Sequence, residues 1–189
     1  MYTYFSILTY LIKTSKKSSL YHSRTIRNLI MNYESLLPII GIIRNISQTP
    51  GNCCSQMISL STVDGPVNFI ISANTFIIDN TRLRPGMAIA AFYDTNRPIP
   101  LIFPPQYQAE LITTLRGDEI ATINFFNRNL TAADNSLRLN RSRSTNISTM
   151  NGQSFNCSPG ENFLLVYYST TTRSIPPQTT PRRIVVLCR

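Results

Sequence analysis

Short runs of apolar and β-branched residues, separated by turn-forming groups, fill the chain from Ile39 to its end. The separators include Asp-Gly-Pro at residues 64–66 and Asn-Gly at residues 151–152, which are residue types that form tight turns. No window of about 11 residues after position 40 shows the 3.6-residue period of an amphipathic helix. The pattern predicts an all-β protein with few and short helices. Examples of the predicted strands are residues 57–62, 67–71, 88–93, 109–113, 120–126, 163–168 and 183–187.

The chain also matches itself in two stretches, and the matches keep the same order in both halves. The first stretch aligns at an offset of 70 residues and the second at an offset of 76. This difference places an insertion in the second half, near residues 151–152, and we predict an internal duplication. The aligned pairs include Ser72 with Ser142, Thr75 with Thr145, Arg97 with Arg173, Pro100 with Pro176, Pro105 with Pro181 and Leu111 with Leu187.

A unit of about 70 residues with about five short strands suits a small β-barrel of the OB or SH3-like kind. We expect two tandem, duplicated small barrels, or alternatively one β-sandwich with an internal pseudo-twofold. Two isolated units of this size would each bury little surface, so we expect them to pack against each other. The predicted organisation is an N-terminal extension at residues 1–37, a first β unit at 38–114 and a duplicate second unit at 115–189.

Four short motifs are also familiar. They are Cys-Cys-Ser-Gln-Met at residues 53–57, Phe-Tyr-Asp at 92–94, Pro-Pro-Gln-Tyr at 104–107 and Thr-Arg-Ser-Ile-Pro at 172–176. With these motifs the chain resembles a set of small β-rich proteins of Clostridia-type bacteria, over roughly residues 38–188. The resemblance implies a β-rich fold. It gives no indication of a function.

Positive charge is concentrated at the start of the chain. The protein carries 18 Lys and Arg against 9 Asp and Glu, and Lys13, Lys16 and Lys17 all lie in the first 30 residues, which contain no acid. Three interpretations of the extension stay open: a disordered leader before a start at Met31, which the resemblance favours, an organelle transit peptide, or a basic amphipathic segment on a membrane. No apolar run approaches the ~20 residues of a transmembrane helix, and no export signal is convincing, so we expect a cytoplasmic protein.

The residue types that common catalytic sites require do not occur together. The one histidine, His22, lies in the extension, no Gly-rich phosphate loop occurs, and the acids are scattered. We therefore expect no enzyme, no cofactor and no metal site. The spacing of Cys53, Cys54, Cys157 and Cys188 is not that of a zinc site. Free thiols are favoured, and a disulfide between the two copies stays open.

Arginines offer the best candidate binding surface. Three of them cluster within six residues of the second half, and a guanidinium group suits the planar recognition of phosphate or carboxylate. Two others are expected at the start of equivalent loops, and a tyrosine on a late strand is a candidate stacking platform. The candidate ligand-binding residues are Arg138, Arg141, Arg143, Arg97, Arg173 and Tyr167.

We therefore expect a non-enzymatic binding or structural module that assembles with itself or with another protein. The alternative is a single-stranded nucleic-acid binder that uses arginines and aromatic rings of an OB-like barrel. This alternative is not favoured, because residues 31–189 carry 13 arginines against nine acids, a net charge of only +4. The Pro-rich stretches at 98–105 and 175–177 are interpreted as structural loops beside sheet edges, with polyproline II docking as the other possibility.

Overall fold

Thirteen β-strands make up most of the regular structure of residues 31–188, the part of the chain that the computed structural model describes. No α-helix occurs among these residues, which confirms the all-β prediction. The interpretations of residues 1–30 lie outside the described part. The strands are β1 (Leu36–Thr49), β2 (Asn52–Thr62), β3 (Gly65–Ile71), β4 (Phe76–Ile77), β5 (Ala88–Asp94), β6 (Gln106–Gln108), β7 (Leu111–Thr114), β8 (Ile120–Phe126), β9 (Arg138–Leu139), β10 (Asn146–Thr149), β11 (Asn162–Tyr168), β12 (Gln178–Thr179) and β13 (Arg183–Leu187).

The fold starts slightly before the expected boundary at position 38. A 3-10 helix, Tyr33–Ser35, leads directly into β1, and the Tyr33 side chain is buried. The Asn32 side chain caps this turn by accepting a hydrogen bond from the Glu34 amide, 3.2 Å away. Asn32–Cys188 form one compact unit. Residues 32–37, which the sequence assigned to the extension, therefore belong to the β-fold.

The same order of strand pairing occurs twice along the chain. In the first half β4 pairs in parallel with β7, and the sheet continues through antiparallel β5 and β1. In the second half β10, β13, β11 and β8 pair in the same order and with the same directions. Two further parallel pairs also correspond, β3 with β6 and β9 with β12. The sheets are mixed and none closes into a barrel.

A Ser-x-x-Thr turn precedes the first parallel strand in each half. In the turn at residues 72–75, the threonine hydroxyl accepts a hydrogen bond from the serine amide (3.0 Å) and donates one to the carbonyl of Ala109 (2.8 Å). In the turn at residues 142–145 the same hydroxyl accepts from the serine amide (3.2 Å) and donates to the carbonyl of Pro181 (2.9 Å). Each turn thus anchors the start of its strand to the neighbouring chain segment.

Backbone hydrogen bonds show that the sequence alignment of the two Pro-rich loops was wrong. The amide of Asn68 donates to the carbonyl of Pro105, and the amide of Arg138 donates to the carbonyl of Pro177, both at 2.8 Å. Pro105 therefore corresponds to Pro177, an offset of 72 rather than 76. The sequence alignment failed here because the loop between β11 and β12 is shorter than the loop between β5 and β6. Arg97 and Arg173 consequently do not occupy equivalent positions.

Each half has its own apolar core, on one face of its sheet. In both cores the central positions come from alternate residues of the antiparallel strands, as expected for a sheet with one face packed. The first core contains Ile43, Ile58, Leu60, Phe69, Ile89, Ala91, Ala109 and Ile112. The second contains Phe126, Leu130, Ala132, Leu137, Leu139, Leu164, Val166, Ile184 and Val186.

A third buried layer joins the two halves. Successive side chains of a strand point to opposite faces, yet Phe92 and Thr113 in the first half are as buried as their core neighbours. The same is true of Leu165 and Tyr167 in the second half. The hydroxyl oxygens of Thr113 and Tyr167 lie 2.6 Å apart, within hydrogen-bonding distance. The inner strands of both sheets are therefore covered on two faces, and the halves meet along this layer.

Candidate interaction site

The loop at residues 98–105 concentrates exposed apolar side chains. Ile99, Leu101, Ile102 and Phe103 are all exposed, Leu101 completely and Phe103 at 84% of its surface. The sequence from Pro98 to Ala109 contains no charged residue. Contiguous exposed apolar surface of this kind is uncommon on soluble proteins and marks interaction sites. We call residues 98–105 the apolar loop.

Local hydrogen bonds and prolines hold the apolar loop in shape. At its start the Arg97 amide donates to the carbonyl of Asp94 (3.1 Å), and the Asn96 amide donates to the Asp94 carboxylate (2.9 Å). Within it the Ile102 amide donates to the carbonyl of Pro100 (3.0 Å). The loop contains four prolines, and proline fixes φ near −65°. The exposed side chains are therefore presented on a backbone with little conformational freedom.

A groove of about 300 Å³ lies at the base of the apolar loop. Its aromatic part consists of Tyr93 and Tyr107, whose ring centroids are 4.4 Å apart with the rings tilted by 40°. Burial raises the pKa of the Tyr93 phenol, and the nearby Tyr107 adds to this effect. The remaining lining is mixed apolar and polar, so the groove offers ring surface together with hydrogen-bonding groups. The lining residues are Ile70, Tyr93, Asp94, Arg97, Pro98, Ile99, Pro100, Gln106, Tyr107 and Gln108. We call this the tyrosine groove.

Next to the groove, one carboxylate is held in an unfavourable environment. Burial raises the pKa of Glu110, the Arg97 guanidinium opposes this shift, and the negative charge of Asp94 adds to it, so the net direction is upward. Arg97 Nη1 lies 2.9 Å from Glu110 Oε1, but that oxygen has no partner with hydrogen-bond geometry. The ion pair therefore compensates only part of the cost of burying the Glu110 charge.

Glu110→Gln is expected to leave the protein equally stable at pH 7, or more stable by up to about 1 kcal/mol. A carboxyl whose pKa is raised in the folded state favours folding below its ordinary value of 4.5, and this contribution is lost as pH rises through the raised pKa. The free energy of unfolding of the wild type should therefore increase relative to that of the variant when the pH is lowered to 4. Urea unfolding at pH 7 and pH 4 measures both effects, with the exposed Glu34→Gln as control. A clear loss of stability at pH 7 would show that the Arg97 pair is favourable.

The arginines predicted as a binding surface are exposed but separate from this groove, except for Arg97. Arg138 lies on β9, and Arg141 and Arg143 lie in the loop that follows it. Arg173 lies in the loop between β11 and β12. None of these four forms an ion pair with another described residue. Arg97 lies at the start of the apolar loop, so the structure brings one predicted arginine to the candidate site.

Tyr167 does not offer a stacking platform. Its side chain is 1% exposed in the layer between the halves, where its hydroxyl pairs with Thr113. The neighbouring arginines Arg182 and Arg183 each lie 5.6 Å from its ring centroid. The sequence suggested an exposed ring because alternation on a strand places every second residue outside. Here the second face is covered by the other half of the protein.

Sequence reasoning did not single out Tyr93 and Tyr107, although both lie in the motifs quoted above. It interpreted the apolar loop as structural. The signal that could have identified the loop is the uncharged stretch of 12 residues, 98–109, in which large apolar residues alternate with prolines. All four cysteines, Cys53, Cys54, Cys157 and Cys188, are exposed and are not joined by disulfides.

Comparisons with known proteins give no match. Neither protein-family models, nor curated proteins, nor solved structures give a match to this chain. Within residues 31–188 there is also no helix with the length and apolar character needed to cross a membrane.

Proposed function

We propose that the protein is a non-catalytic interaction module that associates with a second copy of itself through the apolar loop and the tyrosine groove. The observation that carries the proposal is the exposure of Leu101, Ile102 and Phe103 on a proline-rich backbone. Isolated exposed apolar residues need no explanation, but three consecutive ones beside an aromatic groove favour a partner.

A second copy is the partner that best suits this surface. The apolar loop presents the almost completely exposed Leu101 and Phe103, the tyrosine groove is a depression, and the two adjoin because residues 98–100 of the loop line the groove. A surface that contains both shapes can pair with itself about a twofold axis, which is the commonest symmetry of soluble oligomers. Proline-rich segments also dock onto grooves lined by aromatic rings. In this arrangement the apolar loop of each copy covers the tyrosine groove of the other.

The size of the surface suggests reversible association. Only four exposed apolar side chains of the loop contribute to the contact on each copy, so we expect a total buried area near or below the ~1,200 Å² at which stable interfaces begin. Interfaces at this lower end are typical of transient complexes. We therefore expect a dimer that dissociates on dilution.

Leu101→Ser combined with Phe103→Ser is expected to abolish this association, because it removes the two most exposed apolar side chains of the loop. Sedimentation velocity over a concentration series should show a shift from monomer to dimer for the wild type and a monomer at every concentration for the variant. Val63→Ser is the matched control, since Val63 is also fully exposed but lies in the β2–β3 turn. A wild type that stays monomeric up to about 1 mM, or a Val63→Ser variant that dissociates equally, would overturn the proposal.

The acids of the fold support a non-catalytic role. Asp79, Glu110 and Glu119 come from different elements, and each lies within ion-pair distance of an arginine. Each of these three carboxylates therefore already faces a positive charge of the fold. No group of three or more His, Cys, Asp or Glu side chains that could hold a metal ion occurs among residues 31–188.

We further infer that the two halves are duplicated copies of one β unit. The shared pairing order, the paired Ser-x-x-Thr turns and the two carbonyl contacts of Pro105 and Pro177 all support this inference. On this basis the loop at residues 173–177, with the fully exposed Ile175, is the shorter counterpart of the apolar loop. The first copy has acquired the larger apolar surface.

Single-stranded nucleic-acid binding is the second candidate function. The observation that favours it is the run of exposed arginines, Arg138, Arg141 and Arg143, in one segment of the second half. Tyr167, the predicted ring for base stacking, is buried and does not support this candidate. Oligonucleotide binding that weakens steeply with salt and is lost when the three arginines are replaced by glutamine would favour this alternative.

A further inference from the structure

A second, strongly polar cleft lies where the two halves of the protein meet. It has a volume of about 450 Å³ and is separate from the tyrosine groove, with which it shares no lining residue. One lining residue belongs to the first half, one to the link between the halves and six to the second half. The lining residues are Asp79, Arg116, Ser144, Asn146, Ser148, Gly152, Arg182 and Arg183.

The acids in and beside the cleft are already engaged by arginines. Arg183 donates through both terminal nitrogens to the Asp79 carboxylate, at 2.5 and 2.8 Å. Arg182 donates through Nε and Nη2 to both oxygens of Glu119, with the Nη2 contact at 2.9 Å. Both carboxylates are therefore used in bidentate pairs, which are the strongest form of this interaction. The negative charge of the cleft is neutralised by residues of its own wall.

Several hydrogen-bond donors of the cleft have no partner among residues 31–188. The Arg116 guanidinium forms no ion pair with another described residue, and Arg182 keeps Nη1 free because its pair with Glu119 uses the other edge. Ser148 Oγ accepts from Arg183 Nη2 (2.9 Å), which leaves its own O–H to donate. The Asn146 side-chain amide adds a further donor at the wall. The cleft thus offers more donors than acceptors and one unpaired positive charge.

The cleft wall is built where the second half departs from the shared pattern. The turn that contains Gly152 lies in the insertion between β10 and β11 and reaches the first half, where the Asp79 amide donates to the carbonyl of Met150 (3.3 Å). A Cβ atom at Gly152 would lie 3.1 Å from Asp79 Oδ1, and Gly152 has φ +84°. Asp79 itself has a positive φ of 59°. Non-glycine residues in this conformation cluster at functional sites.

We propose that this cleft binds an oxyanion of the phosphate class, held by Arg116, Arg182 Nη1 and the Ser148 hydroxyl. A guanidinium group matches a tetrahedral oxyanion through two parallel N–H donors, and hydroxyl groups complete the coordination. The site takes either free phosphate or a phosphate group of a larger molecule, because lining residues such as Arg116, Ser144 and Asn146 are exposed to solvent. This inference is independent of the proposed self-association.

Titration of the full chain with inorganic phosphate, at constant ionic strength and followed by calorimetry, tests the site. We expect saturable binding that weakens at least about tenfold in Arg116→Gln, since the variant loses a charge-assisted hydrogen bond to the phosphate. Arg116 is exposed, so this variant should keep its fold, which circular dichroism verifies. Arg84→Gln is the matched control, because Arg84 is an exposed arginine that belongs neither to the cleft nor to a candidate binding surface, and its replacement should leave phosphate binding unchanged.

Two results would overturn the proposal: the absence of saturable binding at about 10 mM phosphate, or an equal loss of binding in Arg116→Gln and Arg84→Gln, which would indicate diffuse attraction to net charge. A parallel titration with a 5′-phosphorylated oligonucleotide and its unphosphorylated form distinguishes the sources. Tighter binding of the phosphorylated form, lost in Arg116→Gln, would assign the cleft to a phosphate on a larger molecule. Equal binding of both forms, with inorganic phosphate still bound, would assign it to free phosphate.

Discussion

Tyr167→Ala is expected to lower the free energy of unfolding by about 3–5 kcal/mol, the range typical of deleting a large buried aromatic side chain. The ring is 1% exposed and fills the layer between the two halves, so its removal leaves a cavity that neither sheet can close. The Thr113 hydroxyl, 2.6 Å from the phenol oxygen, also loses its partner. Urea unfolding measured by fluorescence and by circular dichroism gives the loss.

Tyr167→Phe separates the ring from the hydroxyl. It keeps the packing and removes the hydrogen bond, so it should cost only about 1–2 kcal/mol. Combining it with Thr113→Val removes both polar groups and should recover part of this loss. If Tyr167→Ala cost no more than Tyr167→Phe, the layer between the halves would not be packed as described.

Tyr167 should also make the protein less stable at alkaline pH. Burial raises the pKa of Tyr167 to about 12, although the hydrogen bond with Thr113 and the nearby Arg183 oppose the shift. The unfolded phenol ionises near its ordinary value of 10.0, before the folded one does. Stability should therefore fall as pH rises from about 10 to about 12, and the loss is about 2–3 kcal/mol at most. Tyr167→Phe should lack this part of the pH dependence.

The sequence predicted the parts of the fold that local chemistry controls. Alternating apolar residues and Gly or Pro turns placed most of the longer strands, including β5, β8 and β11, within a few residues of their observed bounds. The Ser-x-x-Thr motif was found as a repeated pair of residues, and the turn that it forms depends on a local hydrogen bond from the serine amide to the threonine hydroxyl. These features depend on neighbouring residues and need no tertiary information.

The alignment of the Pro-rich loops could not be predicted in the same way. The isolated match of Arg97 with Arg173 ignored the difference in loop length, which only the carbonyl contacts of Pro105 and Pro177 reveal. The 14-residue β1 and the first five residues of β2 were also not among the predicted strands, since the polar residues at the tip of this hairpin do not follow the alternation of a half-buried strand. Pairing between distant segments determines both features.

Burial of Tyr167 shows why the candidate site was only partly predicted. Strand alternation gives the face of a residue but not what covers that face, and here the other half of the chain covers it. The cleft at the junction was not predicted for a similar reason. Its arginines Arg116, Arg182 and Arg183 come from two separate segments of the sequence and come together only in the folded protein. Exposed arginines such as Arg141 were predicted correctly as surface residues because charge alone disfavours burial.

Glu119→Gln is expected to destabilise the protein by about 1–3 kcal/mol at pH 7, the second large effect. Only 6% of the Glu119 side chain is exposed, and its carboxylate accepts hydrogen bonds from Arg182 and from the Arg116 amide. Removing one member of such a pair leaves the other charge poorly compensated. The estimate lies below the value for a fully buried pair because 37% of the Arg182 side chain is exposed to solvent screening.

The pH dependence of this effect has a defined sign. Burial raises the pKa of Glu119, but the hydrogen bonds from Arg182 and the Arg116 amide together outweigh burial and lower it. A lowered pKa means that Glu119 stabilises the fold above its ordinary value of 4.5 and that this contribution is lost as pH falls below that value. The difference between wild type and Glu119→Gln in urea unfolding should therefore shrink between pH 7 and pH 3. The neighbouring, exposed Asp118→Asn is the matched control and should change stability by less than about 0.5 kcal/mol. A Glu119→Gln variant that behaves like Asp118→Asn would show that the Arg182 pair does not stabilise the junction of the two halves.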